Sequence, residues 1–347
     1  MEDWKSFEEL YNSLEKCKLG KTWKASVGRY MIHSMEELAI LQKKLRNGKY
    51  KPRKPHLFNL TYPKHRECSS INIADRVIQR SLNDNIIYPT ITKSLIWENM
   101  ACQKGKGTLK AMQLLEKQLH RYYINNKTNE GYILQVDIKG YYKHIQKQDA
   151  LKILRTRFDN ELIDMIEEWW KIQHPNEIGF EPGDQLTQLI GISLLNTMDH
   201  TIKEKMRAKY YGRYMDDFYI ISNDIDFLNE CKQAIINCLK DVHLEIHPNK
   251  TKIYKISKGI KFLGFIFYLK TRGKVIKIID PQNVKHERKK LFKMAQLVKK
   301  KEMSVKKFYE CYHSWLAHVN NGNSYLIISK MNKYVKELLK EEKECKQ

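Results

Sequence analysis

No stretch of the sequence approaches the roughly 18 consecutive apolar residues of a membrane-spanning helix, so no membrane partner is expected. The opening Met1-Glu2-Asp3-Trp4 lacks the charged-then-apolar order of a secretory signal. Cysteine is scarce, with seven residues, an odd number, standing far apart. There is no Cys-x-x-Cys pair and no Cys/His ligand spacing, which excludes a disulfide scaffold and a zinc module and fits a reducing, cytoplasmic setting. Internal repeats, low-complexity tracts and clear linkers are missing as well. Acidic residues are short: 40 Asp and Glu stand against 63 Lys and Arg, a formal charge of +23. Such an excess points to a polyanionic partner, nucleic acid first, because attraction to phosphate grows with the cations presented. A Lys-rich surface that merely keeps the chain soluble is the plainer alternative.

What is present is the material of a core. With 42% hydrophobic residues, the 347-residue chain is too apolar for disorder and long enough to pack about two units without covalent staples. Residues 1–50 are predicted mostly helical, with Ser6-Phe7-Glu8-Glu9 and Ser34-Met35-Glu36-Glu37 as helix-start signals. Residues 57–62 read as extended, 73–88 as a helix interrupted by Pro89, and 104–108 as a basic glycine turn before a helix through His120. A strand at 131–137 enters buried surroundings, and helices follow over 148–172, 186–209 and 224–241. Between the last two, 213–222 reads as two short apolar strands joined at acidic residues. Segments 262–268 and 274–279 read as a hairpin around Thr271-Arg272-Gly273. Residues 285–347 read as helical, and within 285–307 ten Lys and Arg face two Glu. Leu291, Met294, Leu297 and Val298 recur there at helical spacing, so a packed helix with a basic outer face is expected. The order of elements implies an α+β fold with an antiparallel sheet.

Three aspartates stand out by context. Asp137 ends an apolar strand, and Asp216 and Asp217 interrupt another apolar segment, Tyr214-Met215 before them and Phe218-Tyr219-Ile220 after. Carboxylates rarely occupy such runs unless paired or bound to metal. A tight hairpin lets adjacent Asp side chains turn to one side, which strand alternation forbids. Crowded carboxylates repel one another, and divalent cations relieve that repulsion. Hard oxygen ligands favour Mg²⁺, and a pair of such ions clamps the attacking and leaving oxygens of a phosphoryl displacement. Acidic strands in a cationic chain therefore point to nucleotidyl transfer. Alone, Asp216-Asp217 would pass for an ordinary Asp-rich turn.

These residues resemble the motifs of reverse transcriptases. Tyr214-Met215-Asp216-Asp217 matches the YxDD box, and Val136-Asp137-Ile138-Lys139-Gly140-Tyr141-Tyr142 matches the box carrying the first metal-binding aspartate. Pro63-Lys64-His65-Arg66 and Ala74-Asp75-Arg76-Val77-Ile78-Gln79 resemble the fingers segments, and Cys102-Gln103-Lys104-Gly105-Lys106-Gly107-Thr108 the next fingers box. His247-Pro248-Asn249-Lys250-Thr251-Lys252 resembles the motif after the catalytic hairpin, and Phe262-Leu263-Gly264-Phe265 the primer grip. The boxes follow the family's order over nearly the whole chain. The resemblance implies a right-hand fold: an N-terminal helical extension over 1–55, fingers over 56–130 and 143–181, an antiparallel palm over 131–142 and 182–283, and a helical thumb over 284–347.

The resemblance also implies roles. Asp137, Asp216 and Asp217 would be catalytic and, with Ile138, would hold two Mg²⁺ ions. Lys64, Arg66, Tyr141, Tyr142, Gly183, Gln188 and Lys250 would surround the dNTP. Tyr142, five residues after Asp137, would be the aromatic gate against a ribose hydroxyl, its other reading being a core aromatic. Lys64 and Arg66 would touch the triphosphate or else form a solvated basic loop, and Lys250 would protonate the pyrophosphate. Phe262, Leu263 and Gly264 would grip the primer, and Lys104, Lys106, Lys289, Lys290 and Lys293 would bind nucleic acid.

Gly183-Asp184-Gln185-Leu186-Thr187-Gln188 occupies the box that usually reads QGxxxSP. Gln188 in the last place resembles reverse transcriptases of diversity-generating retroelements, from which Pro182 and Thr187 depart. Ser314-Trp315-Leu316-Ala317-His318 and the residues through Tyr325 also resemble that group's thumb. This implies error-prone copying of a template RNA into cDNA, with a small basic accessory protein as a further partner. A reverse transcriptase of a bacterial defence system or a mobile intron is the first alternative, although no NAxxH or VTG box and no maturase or endonuclease segment is legible. A non-catalytic RNA-binding protein is the second, and the presence of all three aspartates speaks against it.

Overall fold

The computed structural model describes residues 3–60, 65–181, 183 and 185–340. Three helices open the chain: α1 (Phe7–Lys18), α2 (Ala25–Ile32) and α3 (Ser34–Arg46). Ser6 caps α1, its hydroxyl accepting from the Glu9 N–H, as its sequence signal requires. Ser34 does not cap, because the chain enters α3 directly from α2 through His33 and leaves Ser34 buried inside the helix. Strands β1 (His56–Leu60) and β2 (Arg66–Ser70) pair antiparallel, Leu60 opposite Arg66.

Helix α4 (Ile73–Leu82) leads through a π-helical turn at Asn83–Ile87 into α5 (Tyr88–Thr92). Pro89 was expected to interrupt this helix, yet it sits in the first turn of α5. A proline is tolerated at a helix start, and the wide π turn before it absorbs the lost donor and the ring's bulk. Helix α6 (Thr108–Asn126) runs well past His120 before β3 (Tyr132–Asp137). The short α7 (Tyr141–His144) is followed by α8 (Lys147–Arg155) and α9 (Asn160–Gln173), so 148–172 is two helices, the second capped by Asp159. Helices α10 (Gln185–Leu194) and α11 (Asn196–His200) end in a second π turn, Thr201–Lys205.

Strands β4 (Tyr210–Tyr214) and β5 (Asp217–Ser222), helix α12 (Ile225–Lys240) and β6 (Lys252–Lys255) come next. β3 and β5 are the inner strands of a four-stranded sheet of order β4-β5-β3-β6. Strands β7 (Ile260–Phe262), β8 (Phe265–Leu269) and β9 (Val275–Ile279) form an antiparallel meander. The hairpin around 271–273 is as expected, but 262–268 is broken at Leu263-Gly264. Both residues have positive φ (48° and 84°), the pattern of a type I′ turn. Helices α13 (Pro281–Lys299), α14 (Val305–Val319) and α15 (Tyr325–Lys340) complete the chain.

Two compact units result: Met1–Gly107 with Gln135–Tyr219 and Asn229–Lys252, and Thr108–Leu134 with Ile220–Leu228 and Ile253–Gln347. The helix-plus-antiparallel-strand composition agrees with the α+β expectation. Among the described residues no helix is long and apolar enough to cross a membrane.

Candidate active site

The apolar run of β3 buries Ile133, Leu134 and Val136, and the strand ends by bringing Asp137 to a half-buried position. The backbone there is pinned from the far side: Ile138 bridges Ile246, and the His247 N–H donates to the Asp137 carbonyl at 2.7 Å. That pairing brings the segment His247–Thr251 alongside, and Lys250 Nζ reaches Asp137 Oδ2 at 2.7 Å.

β4 and β5 are joined by a two-residue turn, Met215-Asp216. Only Met215 has positive φ, 58°, the type II′ pattern in which the first turn residue is ordinarily glycine. A methionine there holds about 1–3 kcal/mol of backbone strain, of the kind that persists at working sites when surrounding structure enforces it. The enforcing group is Arg213, which is fully buried. Its Nη1 donates to the Met215 carbonyl at 2.9 Å and its Nη2 to the Ile192 carbonyl at 2.8 Å, while Asp199, equally buried, pairs with it at 2.6 Å. The sequence reading missed Arg213 and Asp199. Their signal was there: an arginine inside the apolar strand Tyr210–Tyr214 requires a buried acid.

Asp137 acts on both carboxyls of the turn, and Asp216 acts on Asp217. Burial, then Asp216 and Asp137, push the Asp217 carboxyl up to about 7. Asp216 is raised as well, by burial first and by Asp137, with its own backbone hydrogen bond, Lys250 and Arg213 opposing. Lys250 is the cation that touches Asp137. This crowding is what a divalent cation relieves, so the donor set fits hard metal ions. Among the described residues no three acidic, His or Cys side chains form a ready metal cage. Mg²⁺ does not require one, since it keeps several waters and takes one or two carboxylates plus substrate phosphates.

The crowding has a measurable consequence. Asp217 titrates near 7 in the fold against its ordinary 3.8. A raised carboxyl binds more protons folded than unfolded, so metal-free stability falls as pH climbs from about 4 to 7 and stays low above. Asp217→Asn is therefore expected to raise the melting temperature at pH 8 in chelator by a few degrees, at roughly 2–4 °C per kcal/mol, and to flatten its pH dependence. A variant that melts lower than the parent at pH 8 would contradict the crowding.

The remaining positions divide. Tyr141 is buried, and its hydroxyl donates to the Gly191 carbonyl of α10, a structural use. Tyr142 is half-buried with its ring against Gly191, where a Cβ would come within 2.7 Å of the phenol oxygen. Gln188 is exposed, and Cys102 lies between it and the Met215-Asp216 turn, its Sγ 3.9 Å from Gln188 Oε1 and 3.7 Å from Met215 Sδ. A cavity of about 340 Å³ is lined by Cys102, Lys104, Gln188, Arg80 and Asn83. Gly183 approaches β2 so closely that a Cβ would lie 2.3 Å from the Ser69 carbonyl oxygen. Lys64 lies outside the described residues, and Arg66 opens β2.

Lys104 rests over the Tyr88 ring, whereas the Lys106 ammonium donates to the Trp97 and Asn99 carbonyls, both at 2.8 Å. In the second unit Phe262 is buried ahead of the Leu263-Gly264 turn. Lys289 and Lys293 are exposed on α13, while Lys290 pairs with the buried Glu287 at 3.0 Å. A larger cavity of about 740 Å³, walled by Trp4, Tyr50 and Trp169, contains none of the three aspartates.

A family model described as reverse transcriptase (RNA-dependent DNA polymerase) matches residues 53–267, which include all three aspartates. No curated protein matches the chain.

Proposed function

The chain belongs to the reverse transcriptase family and is an RNA-directed DNA polymerase, acting on a nucleic-acid template and dNTPs with divalent metal ions, and from that premise we propose that it copies RNA by two-Mg²⁺ nucleotidyl transfer at Asp137, Asp216 and Asp217. The observation that carries this is the crowding of those carboxylates at a buried turn, where burial first, then Asp216 and Asp137, pushes Asp217 up to about 7. Asp137 and Asp216 would hold the ions, with Asp217 and Ile138 beside them. When bound, the ions supply the positive charge that stabilises the attacking and leaving oxygens. Lys250, whose ammonium lies 2.7 Å from Asp137 Oδ2, would give a proton to the departing pyrophosphate. Tyr142, steadied against Gly191, would close the space beneath C2′ and favour dNTP over NTP. In this reading β1 and β2 belong to the fingers, the four-stranded sheet to the palm and α13 to α15 to the thumb. Lys289 and Lys293 would then contact the backbone of the copied duplex, which positions without specifying sequence.

The finer reading is an error-prone enzyme of a diversity-generating retroelement, with its template RNA and a small basic accessory protein. It rests on Gln188, which neighbours Cys102 and, through it, Met215 of the catalytic turn. A polar, flexible residue there loosens the geometric check on pairing, since fidelity comes from differential fit in the transition state. Purified protein with Mg²⁺, dNTPs and a primed RNA is expected to extend DNA, and Gln188→Pro to lower misincorporation several-fold in sequenced products. An unchanged error spectrum removes the diversity-generating reading and leaves the polymerase. No extension at all removes both.

A further inference from the structure

Beside the cavity lined by Gln188, and sharing Arg80 and Gln185 with it, the first unit holds a smaller cavity of about 90 Å³. A water needs only about 10–15 Å³ of such space, so a tetrahedral oxyanion has room there. Four cations line it: Lys16 and Lys21 from α1 and the turn after it, and Arg76 and Arg80 from α4. Among the described residues one carboxylate serves them. Asp84 takes Lys16 and Arg80, both at 2.9 Å. Among the described residues Lys21 and Arg76 have no carboxylate partner, although both are half-buried.

The cost of that arrangement registers on the neighbours. The Lys21 ammonium is pushed down by burial and then by Arg76, with Lys24 and Arg80 adding to it. Cys17 lies between the two elements with Sγ 3.7 Å from the Arg76 carbonyl, and burial pushes its thiol up while Arg80, Arg76 and Lys21 oppose. Gln79, 4% exposed at the cavity wall, is turned away from it in part, its Nε2 donating to Gln173 Oε1 at 2.9 Å, so the cations alone face an anion there. Gly183 and Gln185 close the remaining side, and Gly183 keeps the backbone there tight against β2.

Like charges brought together at partly buried positions destabilise a fold unless an anion joins them. We propose that Lys21, Arg76 and Arg80 form a phosphate site, distinct from the aspartate centre, that holds one phosphate of the nucleic acid or nucleotide the enzyme handles. The N-terminal helical segment thereby takes part in substrate binding, through charge it shares with α4. Two sources present this chemistry: a phosphodiester of the single-stranded template and the triphosphate of the incoming dNTP. Assigning the source rests on the polymerase reading. The site itself does not.

The test uses the full chain and the double variant Lys21→Gln, Arg76→Gln, with Lys21→Gln alone as a milder companion. Millimolar inorganic phosphate is expected to raise the parent's melting temperature by a few degrees over sodium chloride of equal ionic strength. The double variant is expected to melt no lower than the parent without phosphate, since repulsion is relieved, and to lose the phosphate response. This readout needs no catalysis, so it fails separately from the polymerase assignment. Binding of a labelled single-stranded RNA across a salt series then identifies the source. A log–log slope shallower by about 0.7 per lost phosphate contact assigns the template backbone. An unchanged slope with a several-fold higher KM for dNTP assigns the triphosphate. Equal phosphate responses in parent and variants, with slope and KM both unchanged, overturn the site.

Discussion

Asp216→Asn is expected to lower kcat for primer extension by at least about 10³-fold while leaving the protein folded. The substitution keeps the side chain's shape and removes its charge. In a two-metal displacement the carboxylate's contribution is to hold positive charge where the oxygens develop negative charge, worth several kcal/mol in the transition state. The metal-free protein should not suffer. Burial and Asp137 already raise the Asp216 carboxyl, so its charge opposes the fold rather than supporting it. Single-nucleotide extension with Mg²⁺ gives kcat, and thermal melting in chelator reports the fold. A melting temperature equal to or above the parent's, together with lost extension, is the signature of a residue kept for chemistry at the expense of stability. Parental extension rates in the Asn variant would remove Asp216 from the metal assignment.

The reading of an acidic centre started from residues that contradict their surroundings. Carboxylates inside apolar strands have few physical explanations, and the order of the surrounding boxes narrowed them to one family, which the match over 53–267 bears out. The capping serine at position 6 and the hairpin around 271–273 were legible for the same local reason, since short-range hydrogen bonding decides both. Pro89 misled because a proline's effect depends on where the helix starts, and the π turn at Asn83–Ile87 moves that start. The strand expected at 262–268 was apolar throughout, and periodicity gives no sign of a turn in which Leu263 accepts positive φ. Lys106 and Lys290 carried charge that any basic-patch argument would count. Only the fold reveals that one ammonium is spent on two carbonyls and the other on a buried glutamate.

Arg213 is the position where sequence reasoning lost most, and Arg213→Met is expected to cost about 3–5 kcal/mol, the typical penalty for stripping one partner from a buried ion pair. On this chain that is roughly a 10 °C fall in melting temperature, at 2–4 °C per kcal/mol. The loss has two parts, which a second substitution separates. Asp199 would be left as a buried, unpaired charge, and the Met215 and Ile192 carbonyls would lose their donor. Adding Asp199→Asn removes the stranded charge and keeps a partner for the Tyr211 hydroxyl, which now donates to Asp199. The double variant is therefore expected to recover at least half of the lost stability. It should not recover catalysis, because nothing then holds the strained Met215 carbonyl and the turn that presents Asp216 is free to relax. We expect its kcat to stay at least about 10-fold below the parent's with KM for dNTP little changed, since a 1 Å misplacement of a catalytic group costs about that much or more. Stability and kcat returning together would make Arg213 a structural residue only. Stability without kcat would make it the positioning residue of the catalytic turn.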